Sequence, residues 1–163
     1  MFKLPQLKRI ALGGLVSATA MTVFAGFANA GECPAGQMKD GARTSGETMP
    51  VGVTDSVIGS IDLSPKGGDF AGQLLRMRKL TIAPGGVVPW HEHSERPANI
   101  YVLSGTIEEY RANCQAPIVH KAGEVAMEFG EGFAHWWKNT SSEPVELISA
   151  DLFKPDMKDA NAM

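Results

Sequence analysis

The sequence lacks the marks of a nucleic-acid-binding protein. It has no cluster of lysine and arginine interleaved with aromatic residues, no glycine-rich phosphate loop and no internal repeat. Its formal net charge is −3, and three of its 15 basic residues, Lys3, Lys8 and Arg9, lie near the N-terminus, so the rest of the chain is more acidic still. An acidic surface is poorly suited to nucleic acid or anionic lipid. We therefore expect no nucleic acid as a partner.

Residues Met1–Ala30 are typical of an export signal. The three basic residues precede a diluted apolar run over 10–27, and Ala28-Asn29-Ala30 has the small-x-small pattern that signal peptidase cleaves. The run is at the short end of the ~20 residues that a membrane span needs, although an uncleaved anchor is the competing interpretation. There is no twin arginine, which favours the general export route. We predict removal of residues 1–30, location in the periplasm or outside the cell, and no membrane attachment after cleavage.

Cysteine is scarce. The two residues are Cys33 and Cys114, and an even number in an exported chain suggests a disulfide. Such a bond would tie the start of the mature chain to the loop Ala112–Pro117. Two free thiols are the alternative.

No long helical period is present, and short strand-like segments recur instead. The predicted strands are Val53–Leu63, Leu74–Ile82, Ala98–Leu103, Thr106–Arg111, Ile118–His120, Glu124–Phe129, Ala134–Lys138 and Val145–Leu152, with turn signals between them, including Pro84-Gly85-Gly86. This pattern predicts an all-β antiparallel sandwich or barrel. We divide the mature chain into an N-terminal arm at 31–50, a barrel at 51–153 and a flexible tail at 154–163.

The sequence His91-Glu92-His93 is the first candidate for a functional site. In an extended strand, alternate side chains point to the same face, and the two Cα atoms would be about 6.7 Å apart. Two imidazoles at that separation can bind one metal ion. The neighbouring Pro89 and Pro97 disfavour a helix here.

Two motifs resemble those of the cupin superfamily. The first consists of Gly85, His91, His93 and Gly105, and the second consists of Gly123, Gly132, His135 and Asn139, with one extra residue and with glycine at the usual proline. The resemblance implies a double-stranded β-helix, the cupin or jelly-roll barrel. It also implies that His91, His93 and His135 hold one divalent metal ion, with iron, zinc, copper and manganese all open.

The chain departs from the cupin pattern at the glutamate of the first motif. The expected positions hold Pro97 and Ala98. Three interpretations stay open. The centre has three histidines only, another carboxylate such as Glu95 or Glu128 replaces the missing one, or the metal has been lost and a binding pocket kept.

The resemblance and the open metal positions favour an exported, metal-dependent enzyme, similar to a dioxygenase, that acts on a small organic anion. The alternatives are a non-catalytic periplasmic protein that binds a small ligand or metal, and a metal-dependent isomerase or lyase. Arg96 is a weak candidate for binding a substrate carboxylate, and Trp136 for an aromatic pocket wall. We expect His120 at the surface, and a homodimer is possible.

Overall fold

The computed structural model describes residues 31–155, so the predicted signal peptide and most of the tail lie outside the described residues. The described chain is almost entirely β-structure. Its strands are β1 (Val51–Asp62), β2 (Leu74–Glu92), β3 (Ala98–Ser104), β4 (Thr106–Arg111), β5 (Ile118–Lys121), β6 (Val125–Glu128), β7 (Ala134–Lys138) and β8 (Val145–Phe153). Each predicted segment overlaps one of these strands, although β2 runs ten residues further than predicted, and the all-β prediction is confirmed. No helix among residues 31–155 is long and apolar enough to cross a membrane.

The strands pair throughout in antiparallel fashion and form a nearly closed barrel. Their order is β5-β4-β7-β2-β8-β3-β6, and β1 pairs with β2 beside this path. The first half of β2 lies between β1 and β8, while its second half pairs with β7. The two halves of β2 therefore have different neighbours in the barrel, and the fold is the double-stranded β-helix that the cupin resemblance implied.

The predicted turn at Pro84-Gly85-Gly86 was wrong, because β2 continues through these residues as a bend. Gly85 has a φ of 74°, and a Cβ on Gly86 would lie 2.7 Å from the carbonyl oxygen of Ala83. Only glycine fits such a close approach without strain. The backbone amide of Gly85 donates to the carbonyl of Asn139, and the amide of Asn139 donates to Gly86. These hydrogen bonds hold the bend in place.

The inside of the barrel contains both apolar and polar side chains. Alternate residues on each strand point inward, and the apolar ones include Ile82, Val102, Ile107 and Val145, all with no exposed surface. Histidine, arginine and carboxylate side chains are also buried inside the barrel. Buried charges are costly unless they are paired, so this polar region indicates a functional role.

Residues 31–50 run over the outside of the barrel. A disulfide joins Cys33 to Cys114, as predicted, and Met38 forms an isolated bridge with Cys114. The Arg43 guanidinium donates to the backbone carbonyls of Arg111, Cys114 and Gln115. The arm is therefore fixed to the loop that follows β4 by both covalent and hydrogen bonds.

Candidate metal centre

Three histidines meet inside the barrel. His91 near the end of β2 pairs directly with His135 on β7, and the Nε2 atoms of these residues are 3.2 Å apart. His93 follows β2, and its ring centroid lies 4.8 Å from that of His91 and 5.0 Å from that of His135. All three are buried. The structure thus brings together the three residues that the two motifs singled out.

The hydrogen bonds of the rings fix their tautomers. Nδ1 of His91 lies 2.8 Å from the carbonyl oxygen of Pro89, and Nδ1 of His93 lies 2.7 Å from that of Arg96. A carbonyl only accepts, so Nδ1 must carry the proton in both rings. Nδ1 of His135 lies 2.6 Å from Oε1 of Glu109 and donates to this carboxylate. In the neutral rings, the three Nε2 atoms that face each other therefore carry lone pairs.

A carboxylate completes the group. Oε2 of Glu128 lies 3.1 Å from Nε2 of His93, and its Oε1 lies 3.6 Å from Nε2 of His135. One ligand atom from each of the four residues lies within 4.8 Å of the others. Glu128 stands on β6 directly opposite Ala98. The other candidate, Glu95, is exposed and does not join the group.

The residues fit a divalent cation. Nε2 of His93 and Oε1 of Glu128 are buried without a hydrogen-bond partner among the described residues. Unprotonated imidazoles and a carboxylate are the donors that zinc, iron and copper prefer. Lone pairs pointing at one another repel, and a cation between them removes that repulsion. A group of this composition is therefore better explained by metal binding than by packing.

The electrostatics favour neutral rings. Burial, followed by the proximity of His135 and His93, holds the pKa of His91 well below 6.5. Burial is also the main cause that lowers the pKa of His93 to about 3 and the pKa of His135 below its ordinary value. Burial, and then the charge of Glu109, raises the pKa of Glu128 well above 4.5. A cation would reverse this last effect, because it stabilises the ionised carboxylate.

Glu109 on β4 bonds to His135 on the side of the ring that faces away from the centre. One of its oxygens accepts from His135, and the other lies 2.9 Å from Nε2 of His120. Arg111 also donates to both oxygens, at 2.8 and 2.7 Å. Burial alone would raise the pKa of Glu109, but the hydrogen bonds from His120, His135 and Arg111 hold it well below 4.5. Such carboxylate–histidine pairs orient metal ligands and raise their basicity.

The expectation that His120 lies at the surface was wrong. Its side chain is fully buried on β5, bonded to Glu109 and in contact with the ring of Trp137. The sequence analysis also missed Glu109. Both residues alternate with apolar neighbours on inward-facing positions, at 107–109 and at 118–120, and this alternation was the available signal.

A small cavity of about 20 Å³ adjoins the centre. Its walls include His91, His93, Glu128, Trp137, Arg78 and Ser149. Trp136, the predicted aromatic wall, is not among them, because neighbouring residues of a strand face opposite ways. It stacks outside the barrel on Tyr110, with ring centroids 4.1 Å apart. Arg96 is buried rather than exposed, but the arginine that lines the cavity is Arg78.

Comparison with known proteins agrees with this architecture. Residues 78–151 match the family model described as Cupin domain. The chain is 34% identical over 77 residues to germin-like protein subfamily 2 member 2 of Arabidopsis thaliana and to germin-like protein 5-1 of rice, Oryza sativa subsp. japonica. These alignments cover 45% of this chain and 35% and 34% of the respective relatives. The chain thus spans about a third of the length of these curated relatives.

Solved structures with a similar fold include a double-stranded β-helix protein from Klebsiella pneumoniae. It is 22% identical, with a TM-score of 0.48 and coverage of 67% of this chain and 79% of that one. An oxalate oxidase in complex with the substrate analogue glycolate is 21% identical, with a TM-score of 0.47, and the match covers 66% of this chain and 54% of the oxidase.

Proposed function

Residues 78–151 of this chain match a cupin domain, and from that premise we propose that the chain binds one divalent metal ion through His91, His93, His135 and Glu128 and acts as an enzyme on a small organic anion. The observation that supports the proposal is the convergence of three unprotonated Nε2 atoms and a buried carboxylate. The proposal replaces a centre of three histidines alone by one of three histidines and a glutamate.

The metal would supply Lewis acidity and, for a redox-active ion, oxidation of the anion by dioxygen. Nitrogen-rich sites follow the Irving–Williams order, so copper and zinc compete with iron and manganese. A dioxygenase-like reaction is therefore the finer proposal for an iron-loaded protein.

The protein residues themselves would do three things. The carbonyls of Pro89 and Arg96 hold two rings with Nε2 toward the centre. Glu109 does the same for His135. Apolar walls from Leu80, Val88 and Ile100 line the cavity and restrict water to a small volume. Polar interactions are stronger in such an environment than in bulk water.

We further propose that the protein works outside the cytoplasm. The Cys33–Cys114 disulfide supports this, because disulfides persist mainly in oxidising compartments. The predicted signal at residues 1–30 is consistent with the same location.

The metal site is tested by expressing the full chain with its N-terminal segment and measuring bound metals by mass spectrometry. We expect close to one transition-metal ion per chain in the wild type and a large loss in Glu128→Gln. Glu95→Gln is the matched control, since it changes an exposed carboxylate of the other candidate. Equal metal content in all three proteins would contradict the role of Glu128.

The reaction class is tested by oxygen uptake with a panel of small carboxylates. Uptake that depends on the metal supports the dioxygenase proposal. Proton exchange or elimination without oxygen would instead favour an isomerase or lyase. Absence of turnover, together with an anion-dependent rise in the melting temperature, would favour a non-catalytic binding protein.

A further inference from the structure

We infer that Arg78, together with Ser149, forms a binding site for a carboxylate group in the cavity beside the histidines. The inference rests on the proposed function only for the identity of the anion as a substrate, because the binding itself does not require the metal.

The guanidinium groups of two other arginines show what such a site looks like when a protein carboxylate fills it. Arg76 offers Nε and Nη2 to the two oxygens of Asp151, at 3.0 and 2.7 Å. Arg111 uses the same edge toward Glu109, at 2.8 and 2.7 Å. Two parallel N–H donors match the two oxygens of a carboxylate in geometry. In both cases the edge formed by Nε and Nη2 is fully used.

Arg78 differs at this edge. Its Nη1 donates to Asp55 at 2.5 Å, so this nitrogen of the guanidinium already has a carboxylate partner. Nη2 lies 3.4 Å from Oγ of Ser149 and 3.6 Å from Oδ2 of Asp151, both at the long end of contact. Nε is buried and has no hydrogen-bond partner among the described residues. A buried donor without a partner is costly, and a carboxylate on this edge would satisfy Nε and shorten the contact of Nη2.

The Nε–Nη2 edge of Arg78 belongs to a residue that lines the cavity beside the metal centre. Arg78 and Ser149 line the same cavity as His91, His93 and Glu128. An anion held by Arg78 would therefore lie next to the metal ligands rather than in a separate pocket.

The geometry of the free edge favours an anion over a neutral ligand. Nε and Nη2 of Arg78 offer two N–H donors side by side, and a carboxylate presents two oxygens that match them. Hydrogen bonds with charged partners are about twice as strong as neutral ones, so a carboxylate satisfies this edge better than a neutral isostere does.

The size of the cavity restricts the ligand. A cavity of about 20 Å³ is small, although it exceeds the ~10–15 Å³ that one water molecule requires. Formate, the smallest carboxylate, is therefore the suitable probe, and formamide is its matched neutral control of similar shape.

The test measures formate binding to the full-length protein by ligand-observed NMR, in metal-free and zinc-loaded forms. We expect saturable binding of formate by the metal-free wild type and little binding of formamide. Arg78→Gln should weaken formate binding at least tenfold, and Ser149→Ala should weaken it severalfold. Lys79→Gln is the control, because it removes one positive charge at the next position of the same strand, on the exposed face.

Two results would overturn the inference: unchanged formate affinity in Arg78→Gln and Ser149→Ala, or an equal loss in Lys79→Gln. If Arg78→Gln does not fold, as judged by circular dichroism, Ser149→Ala and the formate–formamide difference decide the question. Arg78-dependent formate binding in a protein that takes up no metal would leave this inference standing while the proposed function fails. Metal uptake without formate binding would leave the proposed function standing while this inference fails.

Discussion

Glu128 lies directly opposite Ala98, across the antiparallel pair of β6 and β3. Ala98 is one of the two positions at which the cupin pattern expects its glutamate, and both residues point into the barrel. Side chains directly opposite each other on such a pair have Cβ atoms only about 5 Å apart. Glu128 therefore places a carboxylate on the strand that neighbours Ala98, within 3.1 Å of His93 and 3.6 Å of His135.

This relationship predicts that a carboxylate at position 98 can replace that of Glu128. Glu128→Ala alone should lower metal affinity by roughly 100-fold or more, since loss of even an indirect supporting group costs 10–100-fold. The double variant Ala98→Glu/Glu128→Ala should recover a large part of the affinity, because the alanine leaves room for the new side chain. Competition with a chromophoric chelator measures both values. No recovery in a folded double variant would show that the position of the carboxylate on β6 is essential.

Metal binding should release a proton from Glu128. Burial raises the pKa of this carboxyl well above 4.5, so it stays protonated in the metal-free protein to a higher pH than a free glutamate. A bound cation ionises it. Calorimetry of zinc binding in buffers with different ionisation enthalpies should detect this proton when the pH is near or below the raised pKa of Glu128. The released proton should be absent in Glu128→Gln, and equal proton release in both proteins would contradict the assignment.

The three histidines should make the metal-free protein less stable in acid. Their pKa values are lowered in the folded state, for His93 to about 3, so the unfolded chain binds more protons below pH 6.5. Stability therefore decreases as the pH falls from about 6.5 toward 3. Denaturant unfolding across this range measures the effect. In His93→Gln the decrease should be smaller, and an unchanged slope would contradict the assigned pKa of His93.

Glu109 should control metal affinity without touching the metal. Glu109→Gln should lower the affinity about 10–100-fold, because His135 loses the carboxylate that orients its ring. It should also destabilise the fold by about 3–5 kcal/mol, since Arg111 would remain partly buried without its charged partner. Glu108→Gln is the control on the same strand, where the side chain bonds to Tyr110. Equal metal affinities in the two variants would argue for a purely structural Glu109.

The disulfide should contribute much of the stability of the fold. Its cysteines are 81 residues apart, and the chain-entropy model gives about 4–5 kcal/mol for a loop of that length. Cys33→Ala/Cys114→Ala should lower the free energy of unfolding by up to this amount, as measured by chemical denaturation. Because the bond fixes the arm outside the barrel, we expect metal content to remain unchanged in the folded fraction. Loss of metal from the folded double variant would show that the arm also shapes the centre.

The strands could be predicted from the sequence because strand alternation and turn residues are local signals, and the three histidines could be predicted because their spacing resembles the two cupin motifs. The choice between Glu95 and Glu128 could not, since it depends on which strand lies opposite Ala98. The bend at Gly85-Gly86 looked like a turn because local signals do not show that β2 continues to pair on both sides of it.

The burial of polar and charged residues could not be predicted from the sequence either. His120 was assigned to the surface and Arg78 was not considered at all, because polar residues are usually exposed. Each is buried here through partners distant in the sequence, Glu109 for His120 and Asp55 for Arg78. Such pairings become visible only when the strand order is known.

The bend in β2 sets the distance between the two parts of the site, the guanidinium of Arg78 and the histidines. Arg78 lies before the bend, where β2 pairs with β8, and His91 lies after it, where β2 pairs with β7. The angle at Gly85-Gly86, fixed by Asn139, therefore sets how far an anion on the guanidinium can reach toward the histidines. Changing the length of chain between residues 78 and 91 would alter which molecules span that gap while leaving both ends of the site intact.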